Sequence, residues 1–341
     1  MRPEVRWVTR AGVARAAVIF GGLLAFPFAF SQPWIVTMAF FAVMFAGLAQ
    51  AWNLLGGYSG YISLGHVAFF GLGAYSEAIL FTHIGIGSNG YVPFFVLPAI
   101  GVAIALVGVP IAWVAVRTRH LTFAIVTLTL LFVVQSLAFN LHGLTRGSQG
   151  ISLPGPPFSD YERPFYLAVL AIFALATFIV WHVRGSKLGL MLFAIRDDED
   201  RARGVGVPTT LVKVFTFALS VGITGMIGAV WAYFIGFVYP QFAVDPLVMI
   251  GSLLPVFLGG AGTVWGPVLG TFILVPAQQW LAYQYGASQL YLIAYAAVFL
   301  LIILLLPRGI LPSIRDVVSR WRDRRTPSVV PPHAARQGAG P

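Results

Sequence analysis

Apolar residues come in long blocks separated by short polar or glycine-rich intervals, from residue 14 almost to residue 306. A membrane-crossing helix needs about 20 apolar residues. That length places spans at 14–30, 34–55, 66–86, 92–116 and 121–140, then at 164–183, 213–236, 246–258, 266–284 and 289–306. The expected fold class is all-α: a polytopic membrane protein of about ten transmembrane helices, some of them interrupted. The even split of spans between the halves suggests a 5+5 inverted repeat of the transporter kind. Pro33, Pro93, Pro164 and Pro267 fall at or near span starts, where a missing N–H matters least, whereas Pro110, Pro255 and Pro276 predict kinks. Gly71, Gly73 and Ala74, and again Gly222, Gly225 and Gly228, predict helices that approach closely.

The stretch Asn53-Leu-Leu-Gly-Gly-Tyr-Ser-Gly-Tyr-Ile-Ser-Leu-Gly-His66 stands out between two apolar runs. Each glycine inside a helix costs about 1 kcal/mol against alanine, so this stretch resists helix. In a bilayer an interrupted helix persists only where protein or a water-filled cavity satisfies the freed backbone. A discontinuous helix at a substrate site and a tight turn between two spans both fit the spacing. A second glycine-rich block, Leu258-Gly-Gly-Ala-Gly-Thr-Val-Trp-Gly-Pro-Val-Leu-Gly270, echoes it loosely.

Three segments outside the spans are long enough to act. Residues 141–163 are rich in Gly and Pro and are expected as an outer loop. Residues 184–212 carry Leu188, Met191, Leu192 and Ile195 at helical spacing, followed by the largest acidic cluster of the chain. Asp197 with Arg201, and Glu199 with Arg203, are acid-first pairs four apart. Gly204, Gly206 and Pro208 end that helix. The expectation is a short amphipathic helix on the inner side whose apolar face docks another protein. Residues 1–312 form the expected permease domain; 313–341, basic and then Pro-rich, are expected as a disordered inner tail drawn to anionic lipid.

Composition sharpens this picture. Of 341 residues, 58% are hydrophobic and 9% charged, and the mean hydropathy is +0.86, which excludes a soluble domain. The absence of cysteine excludes disulfides and thiolate metal sites. The net charge of +10 would suit nucleic acid, but its distribution points elsewhere. All of the 21 Lys and Arg except Arg146 and Arg163 fall on the expected inner side. That is the positive-inside pattern, which orients a chain and requires no nucleic-acid partner. Arg2, Arg6, Arg10 and Arg15 before an apolar run allow a signal peptide; a retained first span is expected, because no small-residue cleavage site follows.

The chemistry inside the spans is sparse. No Gly-x-x-x-x-Gly-Lys-Ser/Thr loop occurs, so ATP has no P-loop here. Glu77 is the only carboxylate deep in an expected span, with His66 and His83 nearby; His66 lies about 16 Å away along a helix, too far to pair. An intramembrane Glu marks function or an internal hydrogen bond. No metal-ligand spacing and no nucleophile–base constellation is visible. An energy source outside the chain, reached through 184–212, is the reading these absences leave.

These landmarks, in order and at similar spacing, resemble the LivM-type permease subunits of ABC importers for branched-chain amino acids. Residues 53–75 are similar to the family pattern N-L-L-x-G-Y-x-G-Q-x-S-L-G-H-A-A-F-F-G-x-G-A-Y. Thr122-Phe-Ala-Ile-Val-Thr-Leu, Thr145-Arg-Gly-Ser-Gln-Gly-Ile-Ser, Gly189 to Lys213, Gly259 to Gly270 and Leu306-Pro-Arg-Gly-Ile supply the remaining landmarks. The resemblance implies a heterodimeric pore with a LivH-type permease, two cytoplasmic ATPases that bind ATP and Mg, and a periplasmic substrate-binding protein. It places the chain in a bacterial inner membrane with both termini cytoplasmic. No cofactor is implied for this chain itself. Asn53, Gly57, Tyr58, Gly60, Tyr61, Ser63, Gly65 and His66, with Glu77, would line or shape the substrate path. Leu192, Ala194, Ile195, Arg196, Asp198, Glu199 and Gly206 would couple to an ATPase. The chain departs from the family at Tyr61, where Gln is usual, at Gln135, where Glu is common, and at Arg201, Arg203 and Glu77. The changes at Tyr61 and Glu77 make urea, short amides and aromatic acids alternative cargoes, and an ion-coupled secondary carrier is the more distant alternative.

Overall fold

The computed structural model describes residues 10–30, 32–85, 90–155, 160–285 and 309–314, with single positions at 293, 296, 297 and 300. Apart from those four positions the expected span 289–306 lies outside the described residues, as does the expected tail beyond 314. Helices dominate: α1 (Arg10–Ala29), α2 (Pro33–Trp52), α3 (His66–Ile79), α4 (Val92–Ala115), α5 (His120–Asn140), α6 (His142–Thr145) and α7 (Glu162–Arg184). There follow α8 (Lys187–Asp197), α9 (Glu199–Gly204), α10 (Thr209–Ile235), α11 (Pro240–Ala243), α12 (Pro246–Gly259) and α13 (Gly266–Tyr285). Among the described residues, six helical runs are long and apolar enough to cross a membrane: 33–57, 92–115, 121–140, 162–184, 209–235 and 240–259. Helices underlie the nine expected spans on described residues, but those at 14–30, 66–86 and 266–284 are not among these six. Pro110, Pro255 and Pro276 do sit inside helices.

Helix α10 is the axis of the bundle: 22 of its 27 residues are buried. Side-chain pairings fix which way its neighbours run. Along α3, His66 meets Ser220, Gly73 meets Gly225 and Phe81 meets Tyr233, so α3 runs parallel to α10. Along α2, Phe40 stacks on Phe234, Gly47 faces Ile227, and the Ala51 carbonyl accepts from Ser220, so α2 is antiparallel. Helix α4 is antiparallel too, from Phe94 against Tyr233 to Val116 against Lys213. Helix α7 lies beside α2, α1 runs back along α7, and α12 and α13 form a hairpin.

The glycines do what their spacing predicts. A Cβ on Gly228 would stand 2.0 Å from the Phe70 carbonyl oxygen, and one on Gly73 would stand 2.0 Å from that of Gly225. Helices α3 and α10 therefore touch backbone to backbone, as small residues allow in membranes.

The two ends of the bundle differ. At one end lie the start of α1, the ends of α2, α4 and α7, the start of α10, and residues 309–314, where Gly309 abuts Gly260. Arg184, Arg196 and Lys213 gather there, so we call it the basic end. At the opposite end lie α6, α11 and a two-stranded ribbon, β1 (Ile151–Ser152) paired with β2 (Phe237–Val238). Arg146 precedes that ribbon with φ at 57°, the left-handed region a non-glycine residue adopts only when its surroundings hold it there.

Candidate functional site

At the basic end α2 does not stop at Trp52. It widens into a π-helical turn, Asn53–Gly57, and the chain reverses at Gly60. Gly60 has φ at +75°, which glycine adopts without strain. Residues 61–65 then climb back irregularly before α3 begins at His66. Because α2 and α3 run oppositely against α10, this stretch is a reversal between two helices and not one helix broken in mid-span. The turn nevertheless re-enters deeply: His66 stands level with Ser220, seven residues along α10 from Lys213, or about 10 Å of helix.

That irregular backbone is satisfied by named partners, as a low-dielectric site requires. The Trp52 indole donates to the Ser63 carbonyl at 2.8 Å, and the Leu64 N–H donates to Thr127 Oγ1 at 3.0 Å. Ser220 gives its one hydroxyl proton to the Ala51 carbonyl at 2.5 Å. It must therefore accept from His66 Nε2, 2.7 Å away, which leaves His66 Nδ1 to accept from Ser63 at 2.9 Å. The ring thus carries its proton on Nε2 and staples the first turn of α3 to α10.

The two glycine-rich blocks meet here, which their separation in sequence hides. Asn53 Oδ1 accepts from the Gly262 N–H, and its Nδ2 donates to the Thr263 carbonyl, both at 2.9 Å. Gln50 Nε2 reaches the Val264 carbonyl at 2.8 Å. A Cβ on Gly57 would stand 2.7 Å from the Gly262 nitrogen. Arg196 donates to the Gly57 carbonyl at 2.7 Å, and Arg184 donates to the Gly262 carbonyl. One guanidinium thus holds each turn.

The amphipathic segment is two helices where one was expected. Asp198 adopts an extended conformation (φ −163°, ψ 107°), and its side chain accepts from the N–H groups of Asp200 and Arg201, both at 3.0 Å. It is therefore the N-cap of α9 and ends α8. This break corrects one expected pair: Arg201 bonds Asp198 at 2.9 Å, while Glu199 and Arg203 do pair at 3.2 Å. The apolar face is real, but its partner is internal. Leu192 and Ile195 are 0% and 1% exposed and pack into the main core with Leu188 and Met191 at its edge. What faces outward is Leu190, Val205 and a shallow groove of about 390 Å³ lined by Ala194, Asp197, Asp198, Arg201, Ala202 and Val205.

Glu199 turns inward, its side chain 9% exposed. Its Oε1 accepts from Lys213 Nζ at 2.7 Å, and its Oε2 accepts from the Tyr61 hydroxyl. Burial acts to raise the Glu199 carboxyl, but the hydrogen bonds from Lys213 and Tyr61 and the Lys213 charge outweigh it and hold the group below the usual carboxylate range. Tyr61 is pushed up from the ordinary phenol value by burial and by its bond to Glu199. Lys213 is the residue the sequence reading missed. A lysine opening an apolar run reads as an interfacial anchor, and only a distant acid and phenol reveal its role.

Of the remaining expected site residues, Tyr58, Gly65 and Glu77 are buried against their own subunit, whereas Gly206 is exposed and Ala194 half-buried. Tyr58 donates to the Val180 carbonyl at 3.1 Å, Gly65 is pressed against Thr127, and Gly206 (φ +89°) ends the α9 turn. Ala194 lies at the groove, and Glu77 lies on the α3 face that also carries His66, Phe70, Gly73 and Phe81 against α10. It is 2% exposed, and its Oε2 has no hydrogen-bond partner among the described residues. The void beside His66, Phe70, Thr224 and Ser252 holds about 10 Å³, space for one water and not for a solute.

Comparison with known proteins extends this geometry. Residues 34–306 match the model of a family described as branched-chain amino acid transport system / permease component. The chain is similar to the high-affinity branched-chain amino acid transport system permease protein LivM of Salmonella typhimurium, 28% identical over 323 residues, covering 86% of this chain and 73% of the relative. LivM of Escherichia coli is similar to the same degree. A shorter likeness, 32% over 124 residues and about a third of each chain, links it to the autoinducer 2 import system permease protein LsrC of Salmonella paratyphi B. No solved structure matches the chain.

Proposed function

Because the chain belongs to the family of branched-chain amino acid transport permease components, we propose that it is one membrane subunit of an ATP-driven importer that carries branched-chain amino acids into a bacterial cell. The observation that carries this reading is the α8–α9 segment. It leaves the bundle between α7 and α10, is tied back by Arg196 and Glu199, and presents an open groove with Val205 81% exposed. An exposed apolar and charged surface beside a rigidly held helix pair suits a docked protein. On this reading a cytoplasmic ATPase seats on the groove, a second, LivH-type permease completes the pore, and a periplasmic binding protein delivers the solute.

The basic end then faces the cytoplasm, in keeping with the positive-inside pattern. Both termini lie on that side, and ten crossings, arranged as an inverted repeat, fit this orientation. Each subunit supplies one wall of the path; the void inside the bundle beside His66 and Phe70, about 10 Å³, is too small for an amino acid. The chain performs no bond chemistry. Its residues position two glycine-rich turns at the inner mouth, and ATP and Mg act on the companion subunits.

The test is uptake by cells lacking their own branched-chain amino acid transport, supplied with this chain and the transport proteins encoded beside it. Radiolabelled leucine should enter, and unlabelled isoleucine and valine should compete. Competition by urea, short amides or aromatic acids alone would reassign the cargo, and no uptake of any of these would overturn the reading.

A further inference from the structure

Tyr61, Glu199 and Lys213 come from three stretches of chain and close into one cluster. Lys213 Nζ has three protons and three acceptors: Glu199 Oε1 at 2.7 Å, the Tyr61 hydroxyl at 3.1 Å and the Val116 carbonyl at 3.1 Å. It also stands 4.3 Å from the centre of the Tyr61 ring. The Tyr61 hydroxyl accepts from Lys213 and donates its proton to Glu199 Oε2, so it bridges the two charged groups. Glu199 Oε1 takes a further bond from Arg203, which also reaches Thr209 Oγ1 at 3.3 Å. The cluster thus joins α9, the α2–α3 turn, the end of α4 and the start of α10. The Lys213 side chain is 2% exposed.

A buried ion pair is weak evidence for stability, because removing two charges from water offsets their attraction; fixing a unique arrangement is its best-attested use. We propose that Tyr61, Glu199 and Lys213 form a buried lock that carries displacement of α8–α9 into the α2–α3 turn, with Lys213 as its positioning residue. The proposal rests on the transporter reading above. Movement imposed on the outer face of α9 cannot slide past the bundle while Glu199 is held. It drags Tyr61, and with it Gly57 and the Gly262 turn that Asn53 binds.

The experiment compares wild type, Lys213→Met and the double variant Glu199→Gln/Lys213→Met in transporters assembled with their companion subunits. The double variant leaves no unpaired buried charge and so guards against simple misfolding. Both variants should co-purify with their companions, and Lys213→Met should hydrolyse ATP at the basal rate. The ATP consumed per solute imported should rise about tenfold in both. Lys213→Arg, which keeps charge and donors, should recover part of the loss. An unchanged ratio of ATP to solute overturns the lock, as does failure of even the double variant to assemble, since either outcome makes the cluster structural only. A wild-type complex without ATP-dependent uptake defeats the transporter reading itself, before any variant is compared.

Discussion

Replacing Ile195 with Asp separates two roles that the α8–α9 segment combines. Ile195 is 1% exposed and packs in the main core, so the substitution removes a fully buried side chain and inserts a carboxylate. Lost burial alone accounts for about 2–3 kcal/mol, and an unpaired buried carboxylate adds several more, less whatever it recovers by protonating. The total of about 4 kcal/mol or more is a large fraction of an ordinary domain's stability. The variant should therefore fall in yield and in melting temperature in detergent, losing uptake only because the subunit fails. Val205→Asp is the contrast. Val205 is 81% exposed beside the groove, so stability should change by less than about 0.5 kcal/mol, while ATP-driven uptake drops because the docking surface is charged. Thermal unfolding followed by size-exclusion chromatography, together with uptake by the assembled complex, reads both effects. Wild-type melting for Ile195→Asp, or wild-type uptake for Val205→Asp, would refute the assignment of inner and outer faces.

Gly228→Val places a Cβ 2.0 Å from the Phe70 carbonyl oxygen, so α3 and α10 must part by about an ångström; the substitution should cost about 3 kcal/mol, the upper part of the overpacking range. Gly143→Ala, with no heavy atom within 4 Å of the new Cβ, should leave the melting curve unchanged. Asn53→Ala strips the Gly262 N–H and the Thr263 carbonyl of their partner and should loosen the contact between the two glycine-rich turns, measured as faster amide exchange at 262–264; unaltered exchange would show that the turns hold without it. Because Glu199 titrates below the usual carboxylate range, its contribution to stability is complete above the unfolded value of about 4.3 and is lost as pH falls through its lower folded value. Exchange rates of α9 amides, corrected for intrinsic pH dependence, should be flat from pH 8 to 5 and rise only in stronger acid; a rise between pH 7 and 5 would contradict the paired carboxylate.

The bilayer's demand for long apolar runs made the helices legible, which is why 92–116 and 246–258 differ from α4 and α12 by a residue at one end. The Glu199–Arg203 pair was legible because a four-residue spacing has only one geometry in a helix. Asp197 with Arg201 was not, because it assumed a helix that Asp198 interrupts by capping the next one. The stripe of Leu188, Met191, Leu192 and Ile195 announced a covered face without saying what covers it: periodicity records burial, not the partner. Pairings across the chain left no local trace. Asn53 and Gly262 are 209 residues apart, and Tyr61 and Lys213 are 152 apart. Tyr61, expected along the substrate path and as a departure from the family's Gln, proves to be bonded to Glu199 and Lys213.

The claim that matters most is that this chain is a conduit moved from outside itself. Proteoliposomes containing the purified chain, with and without its companion permease, ATPases and binding protein, test it directly. The account predicts accumulation of labelled leucine only in the full assembly with ATP and Mg. Accumulation by the chain alone, driven by a proton or sodium gradient, would contradict it.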